Sequence, residues 1–196
     1  RINVSARRNG GPFTIWLGDS KTFRSRCTEE LVYQEEMGAR GIARSMHFGG
    51  YAIVGPSLLE FGNEAQKALA PAAIRGDTIW CVGMSEPNAG SDLAALSTRA
   101  VADGDTFVVN GQKVFISRTE HSDLMILLVR TSPRDAGRKH TDGMSVLLVD
   151  MREAVGKGLT IRPIRTMINH ATTEIFFDDL SIPADSLVGE EGGLLG

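Results

Sequence analysis

The chain has 196 residues, of which 42% are apolar and 23% charged, and a formal net charge of -3. These are the proportions of a globular protein, and the small negative charge gives no electrostatic basis for binding nucleic acid or an anionic membrane. The longest apolar runs, Leu124 to Val129 and Met144 to Val149, are too short to span a bilayer as helices, and the histidines His47, His121, His140 and His170 lack metal-ligand spacing.

Cys27 and Cys81 form no CxxC pair, which favours a reduced compartment and leaves a single disulfide open. The chain starts at Arg1 and stops inside the Gly-rich stretch Gly189 to Gly196, and so reads as a piece of a longer protein.

Residues 1–79 are expected to be mostly helical. Thr28 suits an N-cap, with Glu29 and Glu30 in the first turn, and the helix runs through Leu31, Val32, Tyr33 and Met37 to Gly38. A looser stretch holds Gly41, Gly49, Gly50 and Gly55-Pro56. Asn63 then caps a second helix with Gln66 at the capping-box position, and Ala65, Ala68, Leu69 and Ala72 share one face. Pro71 should kink or shorten this helix, and Gly76-Asp77 should end it.

From Ile79 the apolar period changes to two. Strands are predicted at Ile79 to Val82, Thr98 to Ala102, Thr106 to Val109, Gln112 to Ser117, Leu124 to Thr131, Gly143 to Val149, Leu159 to Pro163, Glu174 to Phe177 and Leu180 to Pro183. Asp103-Gly104-Asp105 and the hairpin-type pair Asn110-Gly111 are the expected turns. Ser132 to Asp142, with its basic stretch Arg134 to His140, reads as a solvated loop. Short strands without helical crossovers disfavour a parallel doubly wound sheet and point to a compact β-barrel or sandwich.

Two segments carry the chemistry. Ser85-Glu86-Pro87-Asn88-Ala89-Gly90-Ser91-Asp92 interrupts the strands with a bend. Pro87 removes a donor, Gly90 permits positive φ or a close backbone approach, and Ser85 and Ser91 flank the bend with hydroxyls. Such a loop suits a ligand bearing carbonyl and phosphate acceptors, but its composition is equally that of an ordinary loop. In Val114-Phe115-Ile116-Ser117, alternation puts Phe115 and Ser117 on one face. That pairing suits a flat ring with a polar edge, and equally a core Phe beside a surface Ser.

Taken together and in order, these segments resemble the acyl-CoA dehydrogenase family. Ser85 to Asp92 resembles its T/S-E-P-x-A-G-S-D signature. Asp105 to Lys113, then Val114 to Ser117, resembles its N-G-x-K and W-I-T/S segment. Gly62-Asn63-Glu64-Ala65-Gln66-Lys67 resembles the start of the preceding helix. Glu174 to Leu180, Ile182-Pro183 and Leu187-Val188-Gly189 resemble the segment that closes the domain.

The resemblance implies an α+β protein. Residues 1–79 would be part of an N-terminal helical domain, 80–186 a middle antiparallel β-barrel for flavin and acyl-CoA, and 187–196 the start of a linker to a C-terminal helical bundle missing from this sequence. It implies FAD as cofactor, contacted by Val82, Met84, Ser85, Gly90, Ser91, Phe115, Ile116 and Ser117, with Ser91 also near the substrate. Phe115 stands where the family more often has Trp, Ser117 where it has Thr, and Arg118 where it often has Asn or Gly.

The implied reaction is α,β-dehydrogenation of an acyl-CoA thioester with hydride transfer to the flavin. An electron-transferring flavoprotein would be the acceptor, the full-length assembly a homodimer or homotetramer, and the compartment cytoplasmic, or mitochondrial in a eukaryote. Glu86, Glu190 and Glu191 match no catalytic base, so no catalytic residue is assigned, and the chain alone is expected to bind FAD poorly and to be inactive. An acyl-CoA oxidase, a flavin-dependent hydroxylase of the same fold and a truncated non-catalytic module are the alternatives.

Overall fold

The computed structural model describes residues 35–42, 47–133, 139–167 and 171–193. The expected N-cap at Thr28 and most of its helix lie outside them, as do Cys27, His170 and most of the basic stretch after Ser132. Residues 35–39 are helical.

The stretch expected to be loose around Gly49 to Pro56 is helical instead. A π-helical segment, Gly50–Val54, runs into α1 (Gly55–Phe61), with Pro56 in its first turn. The glycines serve packing rather than looseness. A Cβ on Gly55 would lie 2.8 Å from Ile74 Cγ1, so only a bare backbone lets α1 press against the helix that carries Ile74.

Asn63 caps α2 (Glu64–Lys67) through a complete capping box. Its Oδ1 accepts from Gln66 N at 2.9 Å, and Gln66 Oε1 accepts from Asn63 N at 3.1 Å. Pro71 shortens the helix as expected. The chain breaks at Ala68–Leu69 and resumes as α3 (Ala70–Arg75), which ends at Gly76 in the left-handed conformation.

Gln66 does more than cap. Its buried side chain donates to the carbonyls of Asp185 at 3.1 Å and Leu187 at 2.9 Å, tying the helices to a segment about 120 residues away. Gln66→Ala removes the side-chain half of the box and both long-range bonds, and should cost about 1–3 kcal/mol. Hydrogen exchange should show residues 185–188 losing protection first; unchanged exchange there would refute the tie.

The strands are β1 (Trp80–Gly83), β2 (Arg99–Asp103), β3 (Thr106–Ser117), β4 (Leu124–Arg130), β5 (Met144–Asp150), β6 (Leu159–Pro163), β7 (Thr172–Pro183) and β8 (Leu187–Val188), with a short α4 (Met151–Ala154) after β5. They form one eight-stranded sheet in the order β6-β7-β3-β2-β4-β5-β8, with β1 also on β4. The sheet is mostly antiparallel and, among the described residues, does not close: the end strands β6 and β8 do not pair. Two ladders are parallel. β1 lies along β4 from Trp80↔Leu124 to Gly83↔Leu127, and β2 touches β4 at Arg99↔Arg130. The chain therefore leaves β4 at Gly83, makes an excursion through Ser85 to Thr98, and returns to the same strand.

Asn110-Gly111 is not a turn. β3 runs straight through it for 12 residues, and β7, expected as two strands, is likewise one strand of 12. A register shift between Val109 and Gly111 places the extra residue in β7, where Asp179 has φ 48. Asn110 Nδ2 donates to Asp179 Oδ1 at 2.9 Å, and Asn110 Oδ1 accepts from Asp179 N at 3.1 Å, so cross-strand partners absorb the amide that a local turn would have used.

β4 is buried on both faces. Met125, Leu127 and Val129 join the main core, which also takes Phe107, Val109, Ile116, Leu147, Ile175 and Phe177. Ile126 faces the helices with Val54, Leu58, Ala73 and Trp80, and Leu128 packs with Ala89 and Leu96 of the excursion. Cys81 lies in the main core, and burial pushes its thiol up to about 11, which makes it inert at neutral pH.

Candidate functional site

The excursion is built around one buried acid. The N–H of Glu86 donates to Ala89 O and that of Ala89 to Glu86 O, both at 3.0 Å, so Pro87 and Asn88 form an exposed tip. The Glu86 side chain turns inward. Its Oε2 accepts from Ser97 N at 2.7 Å and Ser97 Oγ at 2.8 Å, and its Oε1 accepts from Thr98 N at 2.9 Å and Lys113 Nζ at 2.9 Å. One carboxylate thus fastens both ends of the excursion to each other and to β3.

Lys113 is the counterion. Its side chain is 0% exposed, and besides Glu86 it donates to the Met84 carbonyl at 3.0 Å. Burial pushes the Glu86 carboxyl up, but the hydrogen bonds from Thr98, Lys113 and Ser97 outweigh it and hold it at about 2. Burial pushes the Lys113 ammonium down from its usual range, and Glu86 opposes that shift.

The pair joins the two motifs, and the motif reading gave neither residue a role. A signal was present. Lys113 shares the inward parity of Phe107 and Val109 on β3, where a cation requires a buried partner, and Glu86 is the acid of the neighbouring motif.

Beyond Lys113 that parity reverses. A second register shift lies between Lys113 and Ile116, and Phe115 sits within it at φ 58. The bulge lets Val114 and Ile116 take buried positions and leaves Phe115 67% exposed. A bulky residue at positive φ is a true outlier, costing roughly 1–3 kcal/mol, and the strain holds an aromatic ring out of the core. Ser117 is exposed too, so the expected sharing of a face by Phe115 and Ser117 is what the strand presents.

Ser85 lies beside this strand, its carbonyl accepting from Val114 N at 2.9 Å. Among the described residues, neither the N–H nor the hydroxyl of Ser85 has a hydrogen-bond partner, and the hydroxyl of Ser117 has none.

The other candidates divide between places. Val82 and Met84 are half-buried on the helical side, Val82 packing with Trp80 and Ile126. Met84 lines a cleft of about 570 Å³ with Ile53, Phe61, Leu93, Leu128 and Val188. The Ile116 side chain is in the core, its backbone is paired with Thr173 of β7, and its carbonyl accepts from Thr173 Oγ1 at 2.9 Å. Gly90 and Ser91 are exposed. Gly90 has neither a positive φ nor a crowding neighbour within 4 Å, so neither conformation nor packing within the described chain demands glycine there.

Arg130, absent from the motif reading, braces the excursion from behind. It donates to the carbonyls of Ala94 at 2.9 Å and Asp142 at 3.0 Å. Among the described residues no group of His, Cys, Asp and Glu is arranged to hold a metal ion, and no helix is long and apolar enough to cross a membrane.

Comparison with known proteins agrees with this architecture. Residues 81–180 match the family model for the acyl-CoA dehydrogenase middle domain. Acyl-CoA dehydrogenase FadE26 of Mycobacterium tuberculosis is 36% identical over 164 residues, spanning 83% of this chain and 40% of the relative. The mitochondrial long-chain specific acyl-CoA dehydrogenase of Sus scrofa is 39% identical over 193 residues, spanning 97% and 41%. Among solved structures, the ChsE4-ChsE5 complex of Mycobacterium tuberculosis superimposes with a TM-score of 0.73 at 35% identity, over 84% of this chain and 41% of that one. The chain thus spans about two fifths of the length of the relatives it matches. It carries the family's middle domain at residues 81–180, and the chain belongs to the acyl-CoA dehydrogenase family.

Proposed function

We propose that this chain forms the flavin-facing part of an FAD-dependent acyl-CoA dehydrogenase. In this proposal residues 1–79 end a helical domain, 80–186 form the flavin and acyl-CoA domain, and 187–196 lead toward a helical bundle. The observation that carries it is Phe115, held at φ 58 and 67% exposed, next to hydroxyls that the described chain leaves unpartnered. An exposed aromatic face flanked by free donors fits a flat ring with a polar edge. When bound, FAD supplies the two-electron acceptor for α,β-dehydrogenation of an acyl-CoA thioester.

The chain's own residues bind and orient. Phe115 stacks on the ring and keeps water from it. The Ser117 hydroxyl, and the Ser85 N–H and hydroxyl, donate to its edge. The backbone at Val82, Met84 and Ile116 sets the wall beneath, while Gly90 and Ser91 at the loop take the phosphate region, Ser91 also meeting the thioester arm. Glu86 is no base: a carboxylate held at about 2 and enclosed by four donated hydrogen bonds is a poor proton acceptor at neutral pH. No catalytic base is assigned to this chain. Acyl-CoA is the proposed substrate class, an electron-transferring flavoprotein the proposed acceptor and a homodimer or homotetramer the proposed assembly. The proposed compartment is the cytoplasm, or the mitochondrion in a eukaryote.

The full-length protein expressed from its gene should retain a flavin absorbance spectrum through gel filtration, and that spectrum should bleach anaerobically on addition of an acyl-CoA, whereas the 196-residue chain alone should bind FAD poorly and be inactive. Butyryl-, octanoyl- and branched acyl-CoA esters form the test panel. Phe115→Ala should weaken FAD retention about tenfold. A wild-type protein that takes up no FAD, or whose flavin no acyl-CoA bleaches, would overturn the proposal.

A further inference from the structure

We propose that Lys113 is a positioning residue that tunes the bound flavin through a single peptide group, an inference that rests on the flavin assignment above. The geometry is specific. Lys113 Nζ donates to the Met84 carbonyl at 3.0 Å. That carbonyl and the Ser85 N–H belong to the same peptide, and the described chain has no cis peptide bond. In a trans peptide the C=O and N–H point in opposite directions. The ammonium therefore grips one end of the peptide from inside the protein, and the N–H at the other end points away from the buried pair, with no partner among the described residues.

Two consequences follow from elementary electrostatics. A cation on a carbonyl polarises the peptide and makes its N–H a stronger donor, the cooperative effect of a hydrogen-bond chain in a low-dielectric setting. The ammonium also contributes its own field, partly cancelled by Glu86, whose Oε1 lies 2.9 Å from it. A flavin ring that takes up two electrons gains negative charge on its pyrimidine edge. A polarised donor at that edge binds the reduced ring better than the oxidised one. Lys113 thereby favours reduction without touching the ligand, and Glu86 acts as the counterweight that limits the effect.

A scaffold role alone makes a different forecast from this one. If the pair only holds the loop in shape, Lys113→Met and Glu86→Gln loosen the same loop, and both weaken FAD binding in the same sense. If the charge is felt by the ring, the two substitutions act with opposite signs. The midpoint potential of the bound FAD, measured against a reference dye in the purified holoprotein, separates the two. Lys113→Met should lower it and Glu86→Gln raise it. Each should change the reduced-to-oxidised affinity ratio about tenfold, about 30 mV for a two-electron couple. Lys113→Arg, which keeps the charge, should stay near the wild-type potential.

Shifts of the same sign in Lys113→Met and Glu86→Gln, or no shift in either, would overturn the inference while leaving the flavin assignment intact. If Lys113→Met does not fold, Glu86→Gln decides alone: a raised potential supports the inference and an unchanged or lowered one overturns it. A wild-type protein that binds no FAD overturns both this inference and the assignment on which it rests.

Discussion

Lys113→Ala should lower the free energy of unfolding by about 3–5 kcal/mol, measured by urea denaturation at neutral pH. The substitution leaves the Glu86 carboxylate buried with its counterion gone and removes the donor to the Met84 carbonyl. It also opens a cavity where the four-carbon stem of a fully buried side chain had packed. The double substitution Lys113→Met with Glu86→Gln should lose much less than the sum of its single changes, because the amide oxygen still accepts from Ser97 and no unpaired charge remains. Additive losses, or a loss below about 1 kcal/mol for Lys113→Ala, would contradict a buried ion pair that couples the two segments.

The same pair sets a pH signature. Glu86 is held at about 2 in the folded protein against an ordinary 4.5. A depressed carboxylate stabilises the fold fully above its unfolded value, and that contribution fades as pH falls from about 4.5 through about 2. Removing Lys113 withdraws one of the influences that keep the value low. The deficit of Lys113→Met relative to wild type should therefore shrink as pH is lowered from 7 toward the acid limb, since protonated Glu86 no longer needs the cation. A deficit that stays constant between neutral and acid pH would count against this account.

Gly111→Ala is the second large effect, with an expected loss of about 2–5 kcal/mol. Gly111 has φ +148, and a Cβ there would lie 2.6 Å from Thr98 Oγ1 and 2.7 Å from Thr98 Cα. A side chain can rotate away from a new methyl group, but Cα cannot, so the backbone at Thr98 must move. The N–H of Thr98 is one of the donors to Glu86, and its hydroxyl donates to Gln112 O at 3.2 Å, so the shift reaches the buried pair. Gly104→Ala is the control, having φ +61 with nothing within 4 Å. It bears only the left-handed strain, about 1–2 kcal/mol. Thermal or urea unfolding that gave equal losses for the two glycines would show that the approach to Thr98 is not what Gly111 provides.

Parts of this architecture were legible in the residues and parts were not, for physical reasons. Leu124 to Arg130 and Met144 to Asp150 were plain because a strand buried on both faces is an unbroken apolar run. The Asn63 cap was plain because a capping box is a local interaction, complete within four residues. Asn110-Gly111 misled because its hairpin preference is equally local, and the Asp179 amide and carboxylate, 69 residues away, outcompeted it. Gly50 and Gly55 misled because a helical glycine in close packing, Gly50 against the His47 ring and Gly55 against Ile74 of another helix, has the same composition as a loop. At the site, the motif residues were visible. That Phe115 faces outward only because a bulge reverses the strand's parity depends on the pairing with β7, which no spacing reveals.

The clasp on Glu86 has a consequence for what ligand capture costs. Ordering a backbone segment takes roughly 1–2 kcal/mol per residue, and a ligand that has to freeze its own binding loop spends its affinity on that entropy. Here the segment from Ser85 to Thr98 is already fastened at both ends by one carboxylate, and Arg130 braces its middle through Ala94. The entropy of that loop is lost once, when the chain folds, and is not lost again at each encounter. In the proposed flavin site, contacts made by the exposed residues Pro87, Asn88, Gly90 and Ser91 would therefore appear undiminished in the binding constant, and substitutions at those positions would retune affinity without unfastening the sheet beneath.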